Sequence, residues 1–294
     1  LSDGAVRDPG MSEAARRRVG PKSKAMADAV RDYVLRRQNP DGGYTFAQGS
    51  DSNAQDTYYG LAILRLLNVE PPRISATVNW LRSFPADNLY GYYYVFHGLR
   101  LCGEPPQPGL AKRILALRRP DGSFGTMEVG VAAPSEFHSA FMAIEILSML
   151  GFTTGAGATA RWLLRHRNRD GGFGAHGRSN LRSTFHAVAS LQRLAYDVRK
   201  LRTTVPYVRS CELASGGFSV VPDSSISYME DIFCGVLTLD ILGERCRYPD
   251  KTAERVRMCF NSNGGFRRST ELGISTFEDT YYALTILGKV ENHG

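Results

Sequence analysis

The chain has 294 residues, an apolar share of 43% and a formal net charge of +7. That length and apolar content suit a globular protein with a sizeable core and exclude wholesale disorder. No apolar run approaches the roughly 20 residues of a membrane span, and no apolar signal core opens the N-terminus.

Five cysteines, widely spread and without a Cys-x-x-Cys pair, argue against a disulfide framework or a thiolate zinc cluster. They point to a reducing compartment, read here as the cytoplasm. A basic excess suits nucleic acid, an anionic membrane surface or a phosphorylated small substrate. No element interleaves basic residues with exposed aromatics in the manner of a nucleic-acid module, so nucleic acid is set aside.

Residues 1–21 carry Arg16-Arg17-Arg18 among Gly and Pro and read as a flexible basic tail, leaving 22–294 as a single domain. Apolar periodicity predicts a helix over 23–38, stopped by Asn39-Pro40. The turn Gly42-Gly43-Tyr44 follows, then a more apolar helix over 56–67 and an amphipathic one over 74–83. Further helices are expected at 91–102, 109–118, 138–150, 155–166, 183–195, 198–212, 230–242, 250–260 and 278–289.

The glycine turn recurs as Gly122-Ser123-Phe124, Gly171-Gly172-Phe173, Gly216-Gly217-Phe218 and Gly264-Gly265-Phe266. A spacing of roughly 45 to 50 residues, with one double gap, marks a repeat array. The gap holds a degraded copy, Leu89-Tyr90-Gly91-Tyr92-Tyr93-Tyr94. Helices after the turns are apolar on most sides and their alternates carry a charged face, so six are buried and six half-exposed. The last helix is as apolar as the middle ones, unlike the polar cap of an open solenoid. The expected fold is all-α: a closed (α/α)6 toroid of six helix pairs.

Aligning the inner helices gives one column of Asp56, Gly91, Ser139, Ser183, Asp231 and Asp279, all acceptable N-cap residues. The preceding column, Gln55, Tyr90, His138, Arg182, Glu230 and Glu278, follows no capping rule. It forms a polar cluster at one end of the barrel. Either its glutamates deliver protons from raised pKa values, or Arg182–Glu230 and His138–Glu278 ion pairs brace the rim. Below it lie the aromatics Tyr58, Tyr59, Tyr93, Tyr94, Phe141, Phe185, Phe233, Tyr281 and Tyr282. Those facing the axis would suit an apolar ligand and could stabilise a cation, at about 0.5 to 2 kcal/mol per ring.

Glycine turns such as Pro-Asp-Gly-Gly-Tyr and Arg-Asp-Gly-Gly-Phe-Gly, each before a Thr-Tyr-Tyr or Ser-Ala-Phe helix, resemble the β-subunits of protein prenyltransferases. They also resemble the repeats of squalene and terpenoid cyclases, over roughly residues 22 to 290. Class II terpenoid cyclases open an inner helix with Asp-x-Asp-Asp-Thr, whose middle aspartate donates the proton. The stretch Thr276-Phe277-Glu278-Asp279-Thr280 looks like a relative, with Glu278 in the acid's place and Thr276 in that of the first aspartate. The transferases' zinc ligands fall by repeat alignment on Met229, Asp231 and Asp279, so a zinc–thiolate mechanism is not implied.

The resemblance thus implies an isoprenoid-processing enzyme binding a prenyl diphosphate in the central cavity. Acid-initiated cyclisation stands slightly ahead of prenyl transfer by a β-like subunit with a separate helical partner. A non-catalytic toroid that binds a lipid or protein is the third reading. Candidate catalytic residues are Glu278, Asp279, Glu230 and Asp231. Candidate substrate-binding residues are Gln55, Asp56, Tyr90, Tyr94, His138, Arg182, His186, Tyr228, Tyr281 and Arg267. No metal is assigned to protein ligands, although a Mg²⁺ between the two Glu-Asp pairs is left open.

Overall fold

The computed structural model describes residues 21–125 and 135–291, so the expected tail, Pro21 apart, lies outside the described residues. Among the described residues twelve α-helices follow one another: α1 (Pro21–Leu35), α2 (Ala54–Leu66), α3 (Ile74–Ser83), α4 (Leu89–Leu101), α5 (Leu110–Ala116) and α6 (Glu136–Met149) lead. Then come α7 (Ala156–Arg165), α8 (Leu181–Arg193), α9 (Thr204–Ser210), α10 (Met229–Ile241), α11 (Pro249–Met258) and α12 (Phe277–Glu291). A two-residue antiparallel hairpin, β1 (Phe266–Arg267) with β2 (Ser275–Thr276), precedes α12.

The even-numbered helices touch in the order α2, α4, α6, α8, α10, α12, and α12 returns to α2. Each odd-numbered helix packs outside the even one that follows it. This is the expected (α/α)6 toroid, and burial explains the layering. In α4, the ten residues from Leu89 to Leu99 other than Tyr90 are all buried. In α11, only Thr252, Ala253 and Val256 are.

The glycine turns join the layers. Gly42 has φ +98°, and a Cβ there would lie 2.4 Å from the Ala76 carbonyl carbon in α3. Gly264, at φ +95°, would meet the Ala29 carbonyl oxygen in α1 at 2.3 Å. Positive φ and backbone-to-backbone approach both demand glycine. The second contact also closes the ring, because the last turn of the chain seats on its first helix. The Tyr33 hydroxyl in α1 reinforces it by donating to the Ser275 carbonyl at 3.0 Å. At three of the turns the aromatic that follows is tied to the next inner helix: Tyr44, Phe173 and Phe266 donate N–H bonds to the hydroxyls of Thr57, Thr184 and Thr280.

Two expectations need correction. Inner helices begin about two residues before the predicted starts, since their caps are Asn53, Asn88, Ser135 and Asn180. The three asparagines accept the N–H of Asp56, Gly91 and Ser183 at 2.8 Å. A cap side chain reaches the residue three positions on, so the aligned column sits one turn inside the helix. The second concerns 198–212, which is a 3₁₀ turn, Val198–Leu201, followed by the short α9. Pro206 cannot donate an amide and its ring clashes with the carbonyl four residues back, so the helix restarts at Thr204.

Candidate functional site

A cavity lies inside the ring of inner helices. Tyr58 and Tyr59 of α2, Tyr93 and Tyr94 of α4, and Tyr281 and Tyr282 of α12 form one wall. Phe141 with His138 of α6, Phe185 with His186 of α8, and Phe233 of α10 form the other. The rings pack edge-on and tilted, for example Phe233 on Tyr282 at 4.2 Å and Phe141 on Phe185 at 5.8 Å. The cavity measures about 150 Å³. That suits a ring of six carbons and falls short of the roughly 300 Å³ at which ligand pockets begin. A longer chain therefore enters only if side chains of the aromatic wall swing aside.

Of the fourteen candidate residues, Tyr94, His138, His186 and Tyr281 line this cavity. The four carboxylates do not, and this corrects the picture of a polar mouth opening straight onto the cavity. Glu278 stands behind the wall. Its Oε1 accepts from the hydroxyls of Tyr59 at 3.1 Å and Tyr282 at 3.0 Å, and both tyrosines face the cavity. Burial pushes its carboxyl above the ordinary range, against those two donors, and the Asp279 charge adds to the rise. Asp279, also driven up mainly by burial, reaches about 6. Its Oδ2 accepts from the Thr276 hydroxyl at 2.7 Å.

Glu230 and Asp231 are claimed by Arg182, at 2.5 Å and 2.7 Å respectively. Burial raises Glu230 while Arg182 holds it down. Asp231 is fully buried and also accepts the Tyr228 backbone N–H at 3.3 Å. The Arg182–Glu230 brace weighed from the sequence is therefore present. The His138–Glu278 pair is not, because His138 stacks instead on His186, with ring centroids 4.5 Å apart and planes within 5°. Among the described residues no group of three or more His, Cys, Asp or Glu is disposed to hold a metal ion. Of the two Glu-Asp pairs between which a Mg²⁺ was weighed, one is already bound by the Arg182 guanidinium.

The other candidates are dispersed. Asp56 is buried, accepting from Asn53 Nδ2 at 2.7 Å and the Phe46 N–H at 3.2 Å, and burial raises its carboxyl. Gln55 and Tyr90 lie in a separate groove with Asn88 and Pro85, and Tyr90 touches the cavity wall through Tyr94 at 4.6 Å. Tyr228 lies under the Arg268 guanidinium at 4.0 Å. Arg267 bonds the carbonyls of Met258 and Thr270, which ties it to the outer loops and away from the cavity.

Sequence reasoning passed over the cavity's second polar group. Glu145 of α6 accepts from the Tyr93 hydroxyl and from Arg193 of α8, each at 2.7 Å. His97 Nε2 lies 3.9 Å from the same carboxylate. The signal was helical phase: His138, Phe141, Glu145 and Met149 share the stripe that faces the axis. A charge on that stripe in an otherwise apolar helix marks an interior site.

Comparison with known proteins agrees with this architecture. The family model described as prenyltransferase alpha-alpha toroid domain matches residues 14–92, 81–254 and 238–293. Candida albicans protein geranylgeranyltransferase-I, solved with GGPP, superposes with a TM-score of 0.73 at 17% identity, covering 91% of each chain. The type II terpene cyclase MstE from Scytonema gives a TM-score of 0.58 at 10% identity, covering 91% of this chain and 96% of that one. A protein from Actinoplanes gives 0.57 at 15% identity, covering 92% and 98%. A comparison with curated proteins finds no match.

Proposed function

This chain belongs to the prenyltransferase alpha-alpha toroid family, and we propose that it is an isoprenoid-processing enzyme that starts ring closure with a proton from Glu278. The observation that carries the reading is the placement of Glu278. A carboxyl whose pKa is raised by burial, and which makes no ion pair with a guanidinium or ammonium among the described residues, adjoins an aromatic cavity across two tyrosine hydroxyls. Acid chemistry needs a proton retained near working pH, and burial without a counter-charge retains it.

With Glu278 protonated one of these two tyrosine bonds reverses: the carboxyl O–H donates to the Tyr59 or Tyr282 oxygen. That hydroxyl, turned away from Glu278, hands its own proton to a double bond in the cavity as it takes the one from the carboxyl. A cation then forms among electron-rich rings whose faces favour positive charge. The aromatic rings shield it from water on their side. Prenyl transfer is less well supported, since no metal-ligand group stands at the cavity among the described residues.

The test is incubation with geranyl, farnesyl and geranylgeranyl diphosphates in deuterium oxide, followed by product mass spectrometry. The geranyl compound should fit the cavity best. Cyclic product carrying one solvent deuterium supports the reading. Zinc-dependent attachment of the prenyl group to a thiol would replace it with transfer.

A further inference from the structure

We infer that the cavity is entered at the C-terminal ends of α8 and α10 and takes an isoprenoid whose polar end is uncharged and held at Gln192, a prenyl alcohol rather than a diphosphate; this rests on the isoprenoid reading above. Of the residues lining the cavity, Gln192 and Asp240 alone are exposed, and they stand in the last turns of those two helices. Met149, Arg193 and Ile241, from the last turns of α6, α8 and α10, complete this mouth. Residues at matching depth pair between neighbouring inner helices, Arg182 with Glu230 at their starts and Lys289 with Asp240 at their ends, so these helices run parallel. The mouth therefore lies at the opposite end of the barrel from the acid. Glu278 and Lys289 mark the two ends on α12, roughly 16 Å apart at 1.5 Å per residue.

A diphosphate brings several negative charges and meets no free guanidinium or ammonium among the residues lining the cavity. Arg193 and Lys289, the cations at the mouth, are already bound to Glu145 at 2.7 Å and to Asp240 at 2.8 Å. Burial holds the His186 ring well below the ordinary histidine range and brings His138 to about 4, so neither carries charge at pH 7. The groove that adjoins the mouth at Asp240 sets Glu244, Asp250 and Glu291 beside Arg245 and Lys289. Arg209 and Arg257 meet Glu244 and Glu291 from outside it. Three inner helices also end at the mouth, and the unbonded carbonyls of a helix C-terminus carry partial negative charge, which repels an anion. At the other end of the barrel helix N-termini would draw one in. On α2, α10 and α12, however, the first turn already holds Asp56, Glu230 with Asp231, and Glu278 with Asp279.

An uncharged head fits the same mouth. The Gln192 amide both donates and accepts hydrogen bonds, as a hydroxyl does, and the two pair without a counter-charge. The head then stays at the wet rim while the apolar chain runs inward along Phe141, Phe185 and Phe233. A phosphate group at the same place would give up hydration without gaining a cation, which is unfavourable. Water at the rim screens part of the repulsion, so the diphosphates named above still enter, as poorer ligands than the alcohols of the same length.

The experiment measures binding of geraniol and of geranyl diphosphate by calorimetry, and cyclic product by mass spectrometry, for wild type, Gln192→Ala and Asp240→Asn. Both positions are exposed, so both variants should fold, and circular dichroism melts check it. Wild type should bind geraniol at least tenfold more tightly than the diphosphate. Apolar character alone would give such a preference, so the variants decide its cause. Gln192→Ala should weaken geraniol about fivefold, the scale of one neutral hydrogen bond. Asp240→Asn releases Lys289 and should tighten the diphosphate about tenfold. Equal or tighter diphosphate binding by wild type, or a ratio of affinities that either substitution leaves unmoved, overturns the uncharged head. Geraniol bound but never cyclised overturns the cyclisation and leaves the head assignment standing. Binding of neither compound overturns both.

Discussion

Glu278 and Glu145 both accept from tyrosine hydroxyls inside one barrel, yet only one of them has a guanidinium partner. Glu145 is also bound by the Arg193 guanidinium at 2.7 Å, whereas Glu278 accepts from two tyrosine hydroxyls and faces the like charges of Asp279 and Asp56. An ion-paired carboxylate in the interior braces two helices, here α6 and α8. An unpaired one retains its proton instead, since burial penalises the charged form without an opposing cation. The difference separates a structural carboxylate from a chemical one using the same side chain and the same donor.

Removing the guanidinium breaks the comparison most severely. Arg193 and Glu145 side chains are 13% and 10% exposed. Arg193→Leu leaves a buried carboxylate without its cation, which costs about 3 to 5 kcal/mol in such settings. Urea unfolding should show that loss, and the double change Arg193→Leu with Glu145→Leu should recover most of it. A single-variant loss below about 1 kcal/mol would mean the pair is not a brace.

Glu278→Gln probes the other side. The amide keeps the shape and can still accept from Tyr59 and Tyr282, but it has no proton to give. Turnover of a prenyl substrate should fall about 100-fold or more, the scale of losing a general acid, with unfolding free energy changed by less than about 1 kcal/mol. Full activity in this variant would return Glu278 to the same structural class as Glu145.

What could be read from the sequence divides along the same line. Glycine turns, layer assignment and ring closure were legible because Gly42 and Gly264 must adopt a conformation that only glycine holds cheaply, and because burial imposes an apolar pattern. The rim column was legible as a set of residue types. Its geometry was not, since the choice of Asn53 over Asp56 as cap depends on a register that both residues satisfy chemically. The pairing of Arg182 with Glu230 could be weighed from the column, but that Arg182 also takes Asp231 is decided by side-chain reach between α8 and α10. Glu145 and Arg193 went unread because they lie far along their helices from the turn motifs that drew the alignment.

Glu230 is the intermediate case, raised by burial and lowered by Arg182. Arg182→Met should convert it toward Glu278's situation while stranding the buried Asp231. Asp231 is only 1% exposed, but Arg182 and Glu230 are 29% and 36% exposed and Asp231 keeps the Tyr228 N–H, so the expected loss is smaller than for Arg193, about 2 kcal/mol. Chemical denaturation of the two arginine variants side by side ranks them. An equal or larger loss at Arg182 would show that depth of burial does not set the order.

The smallest effect concerns Asp279, next in sequence to Glu278 and raised from 3.8 to about 6. The folded state then holds this proton more tightly than the unfolded chain does. Between about pH 4 and 6 folding takes up a proton at this site, so its contribution to stability is complete below pH 4 and is lost as pH rises through 6. A two-unit rise corresponds to at most about 3 kcal/mol. The group is only partly buried and Arg268 attracts its charged form, so about 1 kcal/mol is the expected size. Asp279→Asn keeps an acceptor for the Thr276 hydroxyl and cannot titrate. Its stability should therefore lack that part of the decline, and at pH 7 it should exceed wild type by about 1 kcal/mol. Glu278 and Glu230 are raised as well and titrate in the same direction, so the informative quantity is the difference between the two pH–stability curves. Parallel curves from pH 4 to 7 would place Asp279 in water, and with it the end of α12 from which Glu278 draws its burial.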